Sequence, residues 1–199
     1  MHVALIDDDD AVLDSLRLYL GRNSITATCF ATADEFLKVK HGLREFDCVV
    51  ADVRMPGISG LELVRRLADE VVPIILITGH GDIEMAVSAI KLGAFDFIEK
   101  PFDESRLLES IRNAISHVQK TLDEITELAS LRSRFENLTD RQRQVMALAV
   151  TGLSNKEIGS RLEISARTVE IHRAWMMEKI GARNLADLVR MEIRLKGRS

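Results

Sequence analysis

The chain has no apolar run near the roughly 20 residues that a membrane-spanning helix requires, so a membrane is not an expected partner. It has only two cysteines, Cys29 and Cys48, both set among apolar residues and neither at metal-ligand spacing. That excludes a disulfide framework and a cysteine-ligated metal, and points to small core side chains. The basic-then-apolar start of a secretory signal is missing. Four consecutive acids, Asp7 to Asp10, stand there instead, and the cytoplasm is the expected location. Internal repeats and low-complexity tracts are absent. Between residues 117 and 137 there is neither glycine nor proline, which argues for a helix there and against a floppy tether.

What is present is an ordinary globular composition, 46% hydrophobic, in 199 residues: enough for one large domain or two small ones. The net charge of −4 hides a split. Residues 1–120 carry 13 lysines and arginines against 20 acids, whereas residues 137–199 carry 12 against 7. A basic C-terminal third suits a polyanion such as DNA, although solvated helices are often basic as well.

Residues 1–120 alternate short β-rich runs with helical stretches. The pattern predicts strands at 2–6, 25–29, 47–51, 73–77 and 95–99. It predicts helices near 10–22, 33–41, 60–69, 83–92 and 103–119. Such βα units imply an α/β domain, a five-stranded parallel sheet with helices on both faces. Pro56-Gly57 with Gly60, Gly79 with Gly81, and Gly93 fall between the elements as turn punctuation. In residues 121–137 we read a helical linker continuing the fifth helix. Val118, Leu122, Ile125, Ala129 and Phe135 form its apolar stripe, able to dock on a domain or on another subunit. Residues 138–199 read as all-α, with helices at 139–150, 155–162, 166–180 and 185–195. The turn before the third gives a helix-turn-helix pattern.

The chemistry sits at the ends of the apolar runs. Asp7-Asp8 follow the first, Asp52 the third, Thr78 the fourth and Lys100 the fifth. In an open parallel sheet these ends converge on one edge, where such sheets place their sites. Carboxylates a few ångströms apart oppose one another's ionisation, and a divalent cation relieves this. Mg²⁺ suits one or two carboxylates with backbone oxygen and water. The set fits phosphorylation of an aspartate, since phosphoryl transfer needs in-line positioning and charge neutralisation. Asp52 is the expected nucleophile and Asp7 and Asp8 hold the metal. Lys100 and the Thr78 hydroxyl meet phosphate oxygens. A strand-end aspartate can also be only a helix cap, the role expected of Asp9 and Asp10.

Asp7-Asp8, the block Asp52-Val53-Arg54-Met55-Pro56-Gly57-Ile58-Ser59-Gly60, Thr78-Gly79 and Lys100-Pro101-Phe102 resemble the receiver domain of two-component response regulators. The resemblance implies a flavodoxin-like sheet and Mg²⁺ on Asp8, Asp52 and the Arg54 carbonyl. It also implies phosphorylation of Asp52 by a sensor histidine kinase, a cis bond before Pro101, and a switch pair of Thr78 and Phe97. Phe97 stands where the family often has Tyr, and it can also be read as a plain core residue. The face formed by 83–92 and 95–99 is the family's usual output surface.

In a helix-turn-helix the second helix enters the major groove. Here Arg167, Glu170 and Arg173 or Ala174 recur at three- or four-residue spacing, and Val169, Met176 and Ile180 fall at core spacing. Thr168 and Lys156 suit phosphates, while Glu170 and an arginine suit cytosine and guanine edges. His172 and Lys179 complete the candidate DNA-binding set, and Trp175 reads as interface or core. Each charged residue can equally be a solvated helix face. Leu138 to Val145, Gly152 to Ile158 and Ile164 to Arg173 resemble a LuxR-type DNA-binding domain. An acid at Glu170, where some members carry a base, leaves the base preference open. Together the two parts resemble FixJ-like regulators of nitrogen fixation. The implied partners are a sensor histidine kinase, promoter DNA, RNA polymerase and, on phosphorylation, a second copy.

Two rival readings remain. Asp8-Asp9-Asp10-Ala11-Val12 fits the DxDx[TV] pattern of haloacid-dehalogenase-type phosphatases, with Asp8 as nucleophile and Asp10 as acid/base. No late acidic pair completes that site, and a DNA module has no place in it, so the expectation is a non-enzyme. The other rival is a DNA-binding protein whose receiver has gone silent.

Overall fold

The computed structural model describes residues 1–39, 45–79 and 83–197. The turn position Gly81 lies outside the described residues, as do residues 40–41; the second helix, expected over 33–41, already ends at Lys38 with Val39 as its C-cap. Two compact units divide the chain, Met1–Thr121 and Leu122–Ser199.

The first unit holds β1 (His2–Ile6), β2 (Thr26–Phe30), β3 (Cys48–Asp52), β4 (Ile74–Thr78) and β5 (Asp96–Glu99). They form one parallel sheet in the order β2-β1-β3-β4-β5. The helices between them are α1 (Asp10–Arg22), α2 (Ala33–Lys38), α3 (Gly60–Arg66) and α4 (Ile83–Lys91), followed by α5 (Glu104–Glu136). Period-two alternation divides the strand residues between two cores. Ala4, Ile6, Val49, Ala51 and Leu76 meet Phe36 of α2, Leu63 of α3 and Ala89 of α4. Val3, Leu5, Val50, Ile75 and Ile77 meet Leu13, Leu16 and Leu20 of α1 and Leu107, Ile111 and Ala114 of α5. Each such large side chain contributes about 1.5–3 kcal/mol on burial.

Four strands begin one residue later than the sequence predicts, so Asp52 and Thr78 are the last residues of β3 and β4 rather than the first loop residues. Both side chains thereby take the strand's fixed orientation. Helix α3 stops at Arg66, three residues early, with Leu67 as its C-cap.

The helices begin where side-chain oxygens can accept their free N–H groups. Asp9 Oδ1 accepts from the Ala11 and Val12 amides at 2.9 and 3.4 Å, so Asp9 is a cap. At the start of α3 the packing is tight: a Cβ on Gly60 would collide with the Asp52 carbonyl oxygen. The Lys100-Pro101 bond is cis, as the resemblance implied.

The second unit contains the end of α5 and then α6 (Asp140–Ala149), α7 (Asn155–Leu162), α8 (Ala166–Ile180) and α9 (Leu185–Lys196). Thr139 with Gln142, and Ser154 with Glu157, form reciprocal capping boxes. Val169, Met176 and Ile180 of α8 are fully buried among Leu138, Val145, Ile158 and Leu188. Gly159 lets α7 approach the turn, since a Cβ there would lie 2.7 Å from the Ile164 carbonyl oxygen. Glu163, between α7 and α8, takes a left-handed conformation at φ 56° that a side chain adopts at a cost. No described helix is long and apolar enough to cross a membrane.

Candidate functional site

The chain turns back at β1: β2 lies on one side of it and β3 on the other. Ligands of open parallel sheets sit at such a switch point, beyond the carboxyl ends of the strands. Asp7 follows β1 and Asp52 ends β3, on the two sides of that crevice. Both carboxylates are buried, at 3% and 7% exposure.

Lys100 reaches in from the end of β5. Its Nζ donates to Asp7 Oδ2 at 2.8 Å and to Asp52 Oδ1 at 3.0 Å. Burial works to lower the lysine's proton affinity, but hydrogen bonds and charge from Asp7 and Asp52 outweigh it and hold the ammonium above its usual range. The backbone sets the remaining oxygens. The Arg54 amide donates to Asp52 Oδ2 at 2.6 Å and the Asp9 amide to Asp7 Oδ1 at 3.0 Å. The Lys100 amide donates to the Thr78 carbonyl oxygen at 2.7 Å, tying the β4 and β5 ends together.

Asp8 and Pro101 lie exposed at the rim, as does Arg54. Thr78 is fully buried at its strand end. Phe97 is half-buried against the core that contains α4. On α4, Ile83, Val87 and Ile90 are 83%, 46% and 51% exposed, an apolar stripe at helical spacing.

Two buried carboxylates and one ammonium leave one negative charge uncompensated, and Asp8 adds another at the rim. Among the described residues no group of three or more histidines, cysteines or acids is placed to hold a metal ion by itself. Mg²⁺ commonly takes one or two carboxylates and keeps its waters, so this sparse oxygen set fits it.

The second cluster lies on α8. Arg167 and Glu170 are exposed and joined by an ion pair at 2.7 Å. Thr168 shares a hydroxyl contact of 2.8 Å with Ser165. Lys156 is exposed on α7. Arg173 does not join Arg167: it is half-buried, and its guanidinium donates to Asn155 Oδ1 of α7 at 2.8 Å. Six residues are 600° of helix, which puts Arg173 well off the Arg167 face, whereas Ala174 falls back on it. Lys179 turns toward α6, donating to Gln142 Oε1 at 3.3 Å and to the Asn137 carbonyl oxygen at 3.4 Å. His172 meets the Trp175 ring edge-on at 5.9 Å, and its Nδ1 is buried without a hydrogen-bond partner. Trp175 itself is 53% exposed, not core.

Sequence reasoning missed Asn155 and Arg134. The Arg134 guanidinium donates to the Ile180 carbonyl oxygen at 3.3 Å, placing a cation at the C-terminus of α8 where the helix dipole favours one. An arginine three residues after the buried Leu131 was the available signal.

The response regulator receiver domain family matches residues 3–112, and the luxR family of bacterial regulatory proteins matches residues 136–192. The transcriptional regulatory protein FixJ of Bradyrhizobium diazoefficiens is 43% identical over 97% of this chain and 95% of its own. The response regulator protein TmoT of Ectopseudomonas mendocina is 40% identical over 98% of this chain and 89% of its own. Among solved structures, the response regulator StyR superposes with a TM-score of 0.79 at 38% identity, covering 96% of both chains. Full-length FixJ from B. japonicum superposes with a TM-score of 0.62 at 43% identity, covering 98% of this chain and 97% of its own. The chain belongs to the FixJ-like response regulators, phosphorylation-activated transcription regulators that join a flavodoxin-like receiver domain to a LuxR-type DNA-binding domain.

Proposed function

We propose that Asp52 accepts a phosphoryl group from the phosphohistidine of a sensor histidine kinase, and that this lets two copies pair and read the two half-sites of a promoter operator. The observation that carries this reading is the fixing of both Asp52 oxygens at the sheet's switch point, one by Lys100 and one by the Arg54 amide. A carboxylate held in this way presents an oxygen lone pair to an incoming phosphorus atom without reorganising. The P–O bond forms as the P–N bond to the imidazole breaks, and the histidine keeps the electron pair.

Asp8, Asp52 and the Arg54 carbonyl oxygen would hold Mg²⁺, with Asp7 beside them; a bound Mg²⁺ supplies neutralisation of the phosphoryl oxygens. Lys100 follows the new charge. The Thr78 hydroxyl donates to a phosphoryl oxygen, and Phe97 moves into the space that Thr78 leaves. Charge at the sheet edge thereby alters the packing around α4, whose Ile83, Val87 and Ile90 form the receiver's pairing surface. The phosphoryl group shifts this equilibrium only by its differential affinity for the two arrangements.

On DNA, Arg167 and Glu170 exchange each other for base edges, while Lys156, Thr168 and His172 meet phosphates. Arg173 and Lys179 act from behind by fixing α8 to α7 and α6. We place the receiver at 1–120, the linker at 121–137 and the DNA-binding domain at 138–199. RNA polymerase is the downstream partner, and the regulator works in the cytoplasm.

The test is operator affinity, on a duplex selected by this protein from a random pool, before and after acetyl phosphate with Mg²⁺. Wild type should tighten at least about tenfold, or 1.4 kcal/mol, and Asp52→Asn should not change. Equal tightening in both would overturn the assignment of Asp52, and no tightening in either would identify a silent receiver.

A further inference from the structure

We propose that residues 118–129 of α5 pair with the same residues of a second copy as a short parallel coiled coil. Val118, Leu122, Ile125 and Ala129 recur at alternating four- and three-residue spacing, as d and a positions of a heptad pattern; Ile115, one step before them, packs against the receiver core and lies outside the seam. Leu122 and Ile125 are 40% and 55% exposed.

The opposite side of the helix is already used. Leu131 is buried and Phe135 packs in the DNA-binding domain's core. Arg134 caps α8, and Glu127 binds Arg194 of α9 at 2.6 Å. Glu127, Leu131 and Arg134 fall at heptad positions c and f, across the helix from the seam. The docked helix therefore turns its a/d face outward. There Ile125, Leu128 and Ala129, with Arg132 and Glu136 beyond them, line an open groove of about 430 Å³, bordered by Leu195.

The charge pattern selects the occupant. The positions flanking the seam are Gln119, Thr121, Thr126 and Leu128, none of them charged. Lys120, Asp123, Glu124 and Glu127, the charged residues of this stretch, all fall at b, c and f. An identical parallel helix meets no like charge across the seam. Arg132, at the next d position, ends the seam.

Fewer than two heptads fall short of the roughly three to four that a free-standing coiled coil needs. Pairing here requires another contact to raise the local concentration, and so rests on the receiver-driven dimer proposed above. The helix then acts as a latch that closes once the receivers meet.

Single cysteines in the full chain test this, in a Cys29→Ser background; Cys48 is fully buried and can remain. Leu122→Cys and Ile125→Cys lie on the seam, and Lys120→Cys lies behind it. Each is oxidised with Mg²⁺ and beryllofluoride present, while light scattering follows the mass. A disulfide needs its Cα atoms within about 7 Å, so both seam cysteines should cross-link at least about tenfold faster than the one at position 120. A dimer in which all three cross-link equally, or none does, overturns the latch and leaves the receiver dimer standing. Protein that stays monomeric overturns both.

Discussion

The acidic sheet edge and the recognition helix are both charged sites, yet they are built in opposite ways. At the sheet edge two carboxylates are withdrawn from water, share one ammonium and are fixed by backbone amides. On α8 the arginine and glutamate stand in water and hold each other. Exposed pairs of that kind contribute about 0–1 kcal/mol, so they exchange partners easily. A buried charged cluster is strongly destabilised when one member is removed. The receiver thus concentrates its chemistry on one oxygen, whereas DNA recognition is spread over side chains that remain free to rearrange.

The largest expected effect breaks the comparison on the receiver side. Asp52→Asn should abolish acetyl-phosphate labelling, read by intact mass, while Asp8→Asn should still label at a reduced rate. Labelling lost only in Asp8→Asn would restore the phosphatase reading.

Next comes Lys100→Ala, which leaves Asp7 and Asp52 facing each other without a cation. Urea unfolding without Mg²⁺ should show a loss of about 1–3 kcal/mol, against about 0–1 kcal/mol for Arg167→Ala. Added Mg²⁺ should recover part of the Lys100→Ala loss. Equal losses at the two sites would erase the contrast.

On DNA the ranking reverses. Arg167→Ala should weaken operator binding by about 1–3 kcal/mol and relax the preference at one base pair. Lys156→Ala should weaken all sequences alike and flatten the salt slope. Arg173→Ala should instead lower the domain's thermal stability, since its partner is Asn155.

The smallest effects sharpen the contrast through pH. Lys100 is held above its usual value of 10.5, so its contribution is complete below 10.5 and is lost as pH rises through the folded value. Glu157, in the α7 capping box, is held below its usual 4.5 by the Ser154 hydroxyl and amide. Its contribution is present above 4.5 and fades as pH falls through the folded value. The stability gap between wild type and Lys100→Ala should therefore close in strong alkali, and that between wild type and Glu157→Ala in acid. Glu163→Gly, which relieves the left-handed turn residue, should stabilise the DNA-binding domain by about 1 kcal/mol.

Much of this was legible in the chain because it depends on local order. Strands, helices and the sheet edge follow from period-two and period-3.6 patterns, and Asp7, Asp52 and Lys100 converge because parallel strands end together. The α7 and α8 helices fall on the expected residues, since Ser154, Ser165 and Gly181 mark their ends. Facing was harder to read. Spacing alone grouped Arg173 with Arg167, although six residues turn it toward Asn155. The 117–137 stripe was visible, but not that Leu131 and Arg134 commit the opposite side of that helix to the DNA-binding domain. Such choices are made by long-range partners, on which sequence periodicity is silent.

Solution mass by light scattering, with and without Mg²⁺ and beryllofluoride, on wild type and Asp52→Asn, tests the central claim most directly. The account predicts a dimer in one sample only, wild type with the phosphoryl mimic. The same mass in all four would contradict it.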